Sequence, residues 1–280
     1  MKSIHIIAKT LPAAWEKAVI ECWHNGSEFR TEYDKPEEPS SRDVLATIQA
    51  REPFAEPRVH RAFPGGLDDL EKYRAEMLYG VHDHWVDPKL NKWEYTYHQR
   101  LFEYTLPDGR LVDQIAAAVD KLRRVSFTRR AQAVTWKAWE DHQVYDPPCL
   151  QRLWFRVEND RLNMVAHMRS NDAYKAAFMN MYAFTELQAE IAKQLGLQPG
   201  EYIHIADSFH IYGSYFHEFS AFLKTIQDRA PEQRYFHSDF CREFFVEGID
   251  QLLAEKDMPS DKKLLLQARR EELLQQVRKQ

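Results

Sequence analysis

At 280 residues, 44% of them hydrophobic, the chain is long enough to bury a substantial core and is expected to form a single domain over 1–280. A formal net charge of −5 and a pI near 6.2 exclude a general polyanion binder, so nucleic acid is not an expected partner, although a local arginine cluster can still hold one phosphate. Three cysteines, no signal peptide and no apolar run long enough to span a bilayer set the expectation of a cytoplasmic protein with reduced thiols and no membrane partner.

Ser3 to Ile7 reads as a short strand. From Pro12 a helix with Trp15, Val19, Ile20 and Trp23 on one side runs to the Asn25-Gly26 turn. Glu28 to Ser41 is charged and proline-containing, hence a loop, and it carries Arg30; Asp43 to Gln49 then alternates as a strand. After Pro64-Gly65-Gly66 the pattern predicts a helix over Leu67 to Tyr79, on which Glu71 and Glu76 read as solvated carboxylates. For the run His82-Asp83-His84-Trp85 metal binding by the first three is the lesser alternative, because adjacent residues diverge and no partner cluster stands out, so no metal is expected. Leu111 to Leu122 is amphipathic, with Leu111, Ile115, Ala118 and Leu122 inward. Arg129-Arg130 then opens an apolar run through Trp136, where paired arginines are ordinarily solvated.

The stretch from Tyr145 to Tyr182 carries the chemistry. In Asp146-Pro147-Pro148-Cys149 the prolines fix φ and favour extended geometry before them, so the thiol sits at the mouth of a strand. Leu153, Phe155 and Val157 alternate with polar neighbours, as do Leu162, Met164, Ala166 and Met168, and Asn159-Asp160 between them predicts a hairpin. Arg169 and Ser170 end the second strand before a helix expected from Asp172 to Leu195. A guanidinium and a hydroxyl beside a helix start suit an anion such as phosphate. Small residues near that start, Ala176 among them, leave room for a ligand. Glu201 to Asp207 reads as a strand, and the chain beyond Glu218 as helical, with Pro259-Ser260-Asp261 as a helix start. Cys22 and Cys241 sit in helical apolar patterns and read as inert.

Pro-Pro-Cys149, Arg169-Ser170-x-Asp172, Asn180 eight residues on, and His210-x-Tyr212 together resemble the thymidylate synthase family. Tyr97, Pro107-Asp108-Gly109-Arg110 and Asp113-Gln114-Ile115 extend the resemblance upstream. It covers about residues 70 to 225, with 1–66 and 226–280 divergent. The resemblance implies an α+β fold with a large mixed β-sheet flanked by helices, dimerising through the sheet. It also implies transfer of a one-carbon unit from 5,10-methylenetetrahydrofolate to C5 of a pyrimidine nucleotide.

In that reading Cys149 is the thiolate that adds to C6 of the base, activated by guanidinium groups such as Arg169. Glu76 moves protons around the uracil oxygen through water. Arg169, Ser170 and an arginine of the N-terminal loop, Arg30 with Arg42 as the alternative, hold the phosphate together with Arg129 and Arg130 from the other subunit of a homodimer. His210 and Tyr212 bind the sugar hydroxyl, Tyr97 belongs with the nucleotide, and Asp172, Trp85 and Ala176 with the folate. Asn180 reads the base, since an amide accepts from the ring N–H and donates to the 4-oxo group; the family's cytosine-specific hydroxymethylases carry aspartate there. dUMP to dTMP is the leading expectation and 5-hydroxymethylation of a uridine or cytidine nucleotide the alternative. The sequence departs from the family pattern at His82, where the family has tryptophan; at Ala206-Asp207-Ser208 in place of Gly-Gly-Asp; at Leu150, often histidine; and in lacking an apolar C-terminal tail.

Overall fold

The computed structural model describes residues 1–87, 90 and 93–278. Its first half runs β1 (Ser3–Ala8), α1 (Leu11–Asn25), β2 (Ser27–Phe29), β3 (Ser41–Ala50), β4 (Val59–His60), α2 (Leu67–Tyr79), α3 (Tyr97–Phe102), β5 (Tyr104–Thr105), β6 (Leu111–Val112), α4 (Gln114–Arg124) and β7 (Gln132–Val134). The second half runs β8 (Leu150–Glu158), β9 (Arg161–Met168), β10 (Asn171–Asp172), α5 (Ala177–Leu195), β11 (Gln198–Ile211), α6 (Phe216–Asp228), β12 (Tyr235–Phe236), α7 (Ser238–Leu253) and α8 (Ser260–Val277).

The frame is a mixed sheet of eight strands in the order β1-β3-β11-β9-β8-β7, with β2 added to β3 and β10 to β11. β1 and β3 are parallel, as are β9 and β11, so each pair needs a crossover, and α1 and α5 supply them. Both helices pack on the sheet and bury its apolar positions: Val44, Ala46 and Ile48 of β3, Met164 and Ala166 of β9, and Tyr202 and Ala206 of β11. The C-terminal helices join the same buried cluster through Phe245, Ile249, Leu252 and Leu266. This is the α+β arrangement expected, a large mixed sheet flanked by helices.

The Cys149 strand and its partner form the expected hairpin. Asn159 and Asp160 take φ of 51° and 57°, the left-handed region that their short polar side chains tolerate, and Glu158 pairs Arg161 across the turn. α2 keeps its expected bounds because the Asp69 carboxylate accepts the Gly66 amide at its start and Gly80 closes it in a left-handed conformation.

Four local expectations are corrected. α5 begins at Ala177 rather than Asp172, because Asp172 pairs with β11 as β10 and its carboxylate accepts the amides of Tyr174 and Lys175, closing a turn that the helix cannot enter. Leu111 is 62% exposed rather than inward: Asp113 caps α4 through the Ala116 amide, which leaves Leu111 outside the helix in β6. Ser27–Phe29, in part assigned to a loop, pairs with β3 as β2. Glu71, read as solvated, is fully buried, because Arg74 and Arg269 both hydrogen-bond to its carboxylate.

Candidate active site

The hairpin carries Cys149 to the floor of a cleft of about 540 Å³, between α2, the start of α5 and the end of β11. Glu76, Tyr97, Cys149, Ser170, Asp172, Ala176, Asn180, His210 and Tyr212, all singled out in the sequence, line it together. The cleft opens past Cys149 and Ser170 into a second hollow of about 580 Å³ bounded by Arg169, Lys35, Tyr33 and Tyr145. The thiol thus stands where the two meet.

Arg169 shapes this junction. Its Nε donates to the Pro148 carbonyl at 3.1 Å and its Nη2 to that of Pro147 at 2.6 Å, while its backbone N–H donates to the Cys149 carbonyl at 2.8 Å. These bonds to two successive carbonyls fix the guanidinium beside the thiol. The expected depression of the thiol pKa is nevertheless not what results. Burial pushes the Cys149 thiol up, the Arg169 charge only partly offsets that, and Asp146 adds to the rise. The surroundings of Cys149 thus favour the thiol over the thiolate.

Three tyrosines surround it. Tyr97 Oη accepts the Leu150 amide at 3.1 Å, fixing the residue next to the thiol. Tyr73 Oη donates to Asn180 Oδ1 at 2.5 Å, which anchors that buried amide. Oδ1 retains a second lone pair and the amide N–H groups remain to donate. Tyr95 lines the same wall, its phenol pushed well above the usual range by burial and the neighbouring thiol. Tyr73 and Tyr95 were not assigned from the sequence; the alternation Tyr95-Thr96-Tyr97 was the only signal for the second.

His210 is buried in the cleft wall with Nδ1 3.2 Å from Ser208 Oγ, which itself donates to Asp43, and Nε2 has no partner. A buried nitrogen without a partner costs stability unless a ligand or water completes it. Asp172 has one carboxylate oxygen committed to the Tyr174 and Lys175 amides, and burial raises its pKa against those bonds and the nearby His210.

The wall opposite Cys149 is unexpected in detail. Glu76 Oε1 lies 2.9 Å from His82 Nδ1, and His82 stacks on Trp85. Trp93, also missed in the sequence, lines the cleft and packs edge-on against Trp85. His82, Asp83 and His84 diverge to separate partners: Glu76 with Glu255, Thr96 with His98, and Asp257.

Four expected site residues lie outside both hollows. Arg30 donates to the Lys35 and Glu38 carbonyls of its own loop, at 2.9 and 2.6 Å, and so fixes the segment that bounds the second hollow without facing it. The alternative, Arg42, has a buried Nε without a partner and reaches Glu28. Arg129 and Arg130 are exposed just before the edge strand β7, remote from this chain's own cleft lining. Trp85 meets the cleft lining through Trp93.

The site lies inside a recognisable sequence region. The family model described as Thymidylate synthase matches residues 67–250. A protein of Methanocaldococcus jannaschii named "Putative thymidylate synthase" is 31% identical over 209 residues, covering 72% of this chain and 88% of the relative. Proteins of the same name from Methanococcoides burtonii (28% over 222 residues, 79% and 95% covered) and Methanopyrus kandleri (30% over 207 residues, 73% and 90% covered) are similar too. The chain belongs to the thymidylate synthase family, whose members are transferases of the one-carbon type. No helix among the described residues is long and apolar enough to cross a membrane.

Proposed function

We propose that the protein transfers a one-carbon unit to C5 of dUMP, giving dTMP, through a covalent adduct between Cys149 and C6 of the base. The observation that carries this reading is the convergence, across two hollows that meet at Cys149, of a thiol, a fixed guanidinium and a buried amide with free donor and acceptor capacity. Arg169 and Ser170 take the phosphate in the second hollow, with Lys35 at its rim. Asn180 accepts from the ring N–H and donates to the 4-oxo group, and His210 Nε2 gains its missing partner from a sugar hydroxyl. Glu76 handles protons at the base through water. Addition of sulfur to C6 makes C5 an enolate carbon, able to attack an electrophile; for this the Cys149 proton passes to water, and the field of Arg169 favours its departure.

The wall formed by Met77, Trp93 and Ala176 fits the flat face of a reduced folate, since Ala176 leaves space and Trp93 offers a ring. When bound, 5,10-methylenetetrahydrofolate supplies the electrophilic carbon and then the hydride. Asp172 has one carboxylate oxygen free of backbone amides, which suits the pterin nitrogens. Trp85 backs this wall.

The chain acts as one domain and as a cytoplasmic homodimer in this reading, joined through the sheet. The half-buried side chains of Leu45, Trp154, Val165, Ile203 and Ile205 on the face away from α1 and α5 support it. Arg129 and Arg130 are free at the edge to reach the phosphate of the other subunit. A second reading, 5-hydroxymethylation, is favoured by one observation: a polar His82 sits directly behind Glu76 of the cleft lining, backing the wall that must exclude water for hydride transfer. Mass analysis of the products from dUMP, dCMP, UMP and CMP with the folate donor separates the two. dTMP with stoichiometric dihydrofolate is expected; a hydroxymethylated product with tetrahydrofolate transfers the assignment to the second reading.

A further inference from the structure

His82 stands between two carboxylates. Its Nδ1 lies 2.9 Å from Glu76 Oε1 on α2, and its Nε2 lies 3.2 Å from Glu255 Oε2, in the connection between α7 and α8. The ring is buried and stacks face to face on Trp85, with centroids 3.8 Å apart and 9° between planes. Trp85 Nε1 in turn donates to Asp257 of the same connection at 2.8 Å. A neutral imidazole has one donor and one acceptor, and ionised carboxylates only accept. Both contacts are hydrogen bonds at once only if the trio holds one proton more than a neutral ring between two carboxylates.

We propose that Glu76, His82 and Glu255 form a relay in which His82 stores one proton and exchanges it with Glu76, while Glu255 holds the ring in register. His82 acts through Glu76, so it is a positioning residue and a proton store. In the forward step the Nδ1–H bond breaks as an O–H bond forms on Glu76 Oε1. The electron pair stays on Nδ1, and the neutral ring keeps its Nε2–H toward Glu255. The reverse step restores the charged ring, and no proton is consumed over a cycle. Stacking on Trp85 opposes rotation of the ring, so the same nitrogen always faces Glu76.

Among the described residues the two glutamates are the charged groups hydrogen-bonded to this ring. Asp257 is taken by Trp85 and His84, Asp83 by Thr96 and His98, and Trp93 meets the ring edge-on at 5.7 Å. Burial disfavours the charged imidazole, but the bond to Glu76 and the charges of Glu76 and Glu255 outweigh it and hold the pKa above its ordinary value. Glu255 lies beyond the residues 67–250 that the family model matches, so the relay draws on a segment outside that region. The proposal rests on the reading of Glu76 as the group that handles protons at the nucleotide.

The test pairs an NMR titration of the His82 ring in the full-length protein with the pH profile of kcat, for wild type, Glu255→Gln and His82→Gln. His82 is expected to stay protonated beyond the ordinary imidazole range in wild type. Glu255→Gln should lower its pKa and draw the alkaline limb of kcat to lower pH by the same amount, with nucleotide KM unchanged. His82→Gln should lower kcat by about a hundredfold and abolish that limb. Should Glu255→Gln fail to fold, Glu255→Asp, which keeps the charge but shortens the reach, is read in its place, and a lowered His82 pKa is again the expected result. An ordinary His82 pKa, or one indifferent to residue 255, overturns the relay. So does a shifted pKa with an unmoved kcat profile, which reduces His82 to a structural tie. Turnover with none of the four nucleotides removes the relay together with the reading beneath it, and the NMR arm tells that case apart.

Discussion

At the scale of single residues, the state of the Cys149 thiol is a contest between burial and one guanidinium. Burial prevails, so the pKa lies above the usual thiol range with Arg169 restraining the rise. Arg169→Ala removes the restraint. The pH profile of iodoacetamide alkylation at Cys149 is therefore expected to move to higher pH, and an unmoved profile would mean that the sulfur does not feel the guanidinium. Asn180 offers a second test, because Tyr73 anchors its amide in the cleft. Asn180→Asp should depress dUMP use and raise dCMP use, at a cost of about 1–3 kcal/mol for each polar group left unpaired on the wrong base. Competition kinetics with both nucleotides measure the ratio, and a wild type that already prefers dCMP would contradict the role given to Asn180.

At the scale of elements, α2, α5 and α8 are tied by buried charge rather than by apolar contact alone. Glu186 of α5 accepts from Arg58 at 2.6 Å and from Arg74 of α2 at 3.2 Å, while Glu71 of α2 bonds Arg74 and Arg269 of α8. Burial alone would raise the Glu186 pKa, but Arg58 and Arg74 draw it down to about 2. A carboxylate depressed below its ordinary 4.5 stabilises the fold above that pH, and the contribution disappears as pH falls from 4.5 toward 2. Glu186→Gln should thus cost about 3–5 kcal/mol at neutral pH, because two buried guanidinium groups lose a partner. It should also flatten the acid limb of stability. Urea unfolding at pH 7 and pH 3 reads both, and equal losses at the two pH values would refute the assignment.

These ties mark where the sequence could and could not be read. The hairpin and α2 were legible because local chemistry sets them: Asn159-Asp160 for the turn, Gly66 and Gly80 around the helix. The start of α5 was not, since the Asp172 carboxylate uses the backbone in a way that helical periodicity does not signal. Cys149, Asn180, Asp172 and His210 were found through motif spacing. Tyr73 and Glu255 were not, because their importance comes from contacts across long stretches of chain: Tyr73 meets Asn180 107 positions away and Glu255 meets His82 173 positions away. Glu71 was misread for the same reason, its partner Arg269 lying in the last helix.

At the scale of the whole molecule, the sheet separates the cleft from the face that carries Trp154, Val165, Ile203 and Ile205 and from the edge that carries Arg129 and Arg130. If two copies pair through that face, each cleft is completed by the other chain's arginines. Arg130→Ala and Cys149→Ala, each inactive alone, should then recover part of the activity when mixed, because a hybrid dimer contains one cleft with both groups intact. No recovery, with subunit exchange demonstrated independently, would place the arginine pair outside the site.

The three cysteines occupy three different settings, and this gives the molecule an internal counter. Cys22 is sealed beneath the Arg42 and Phe209 carbonyls with its ionisation strongly suppressed, and Cys241 is buried in α7 with its thiol pushed up to about 12. Cys149 alone is partly open, at the junction of the two hollows. A bulky disulfide reagent offered to the native protein should therefore release its chromophore in a ratio of one per chain, and saturating nucleotide should silence that release. The same titration would report the fraction of any preparation that holds an intact cleft, without a turnover assay.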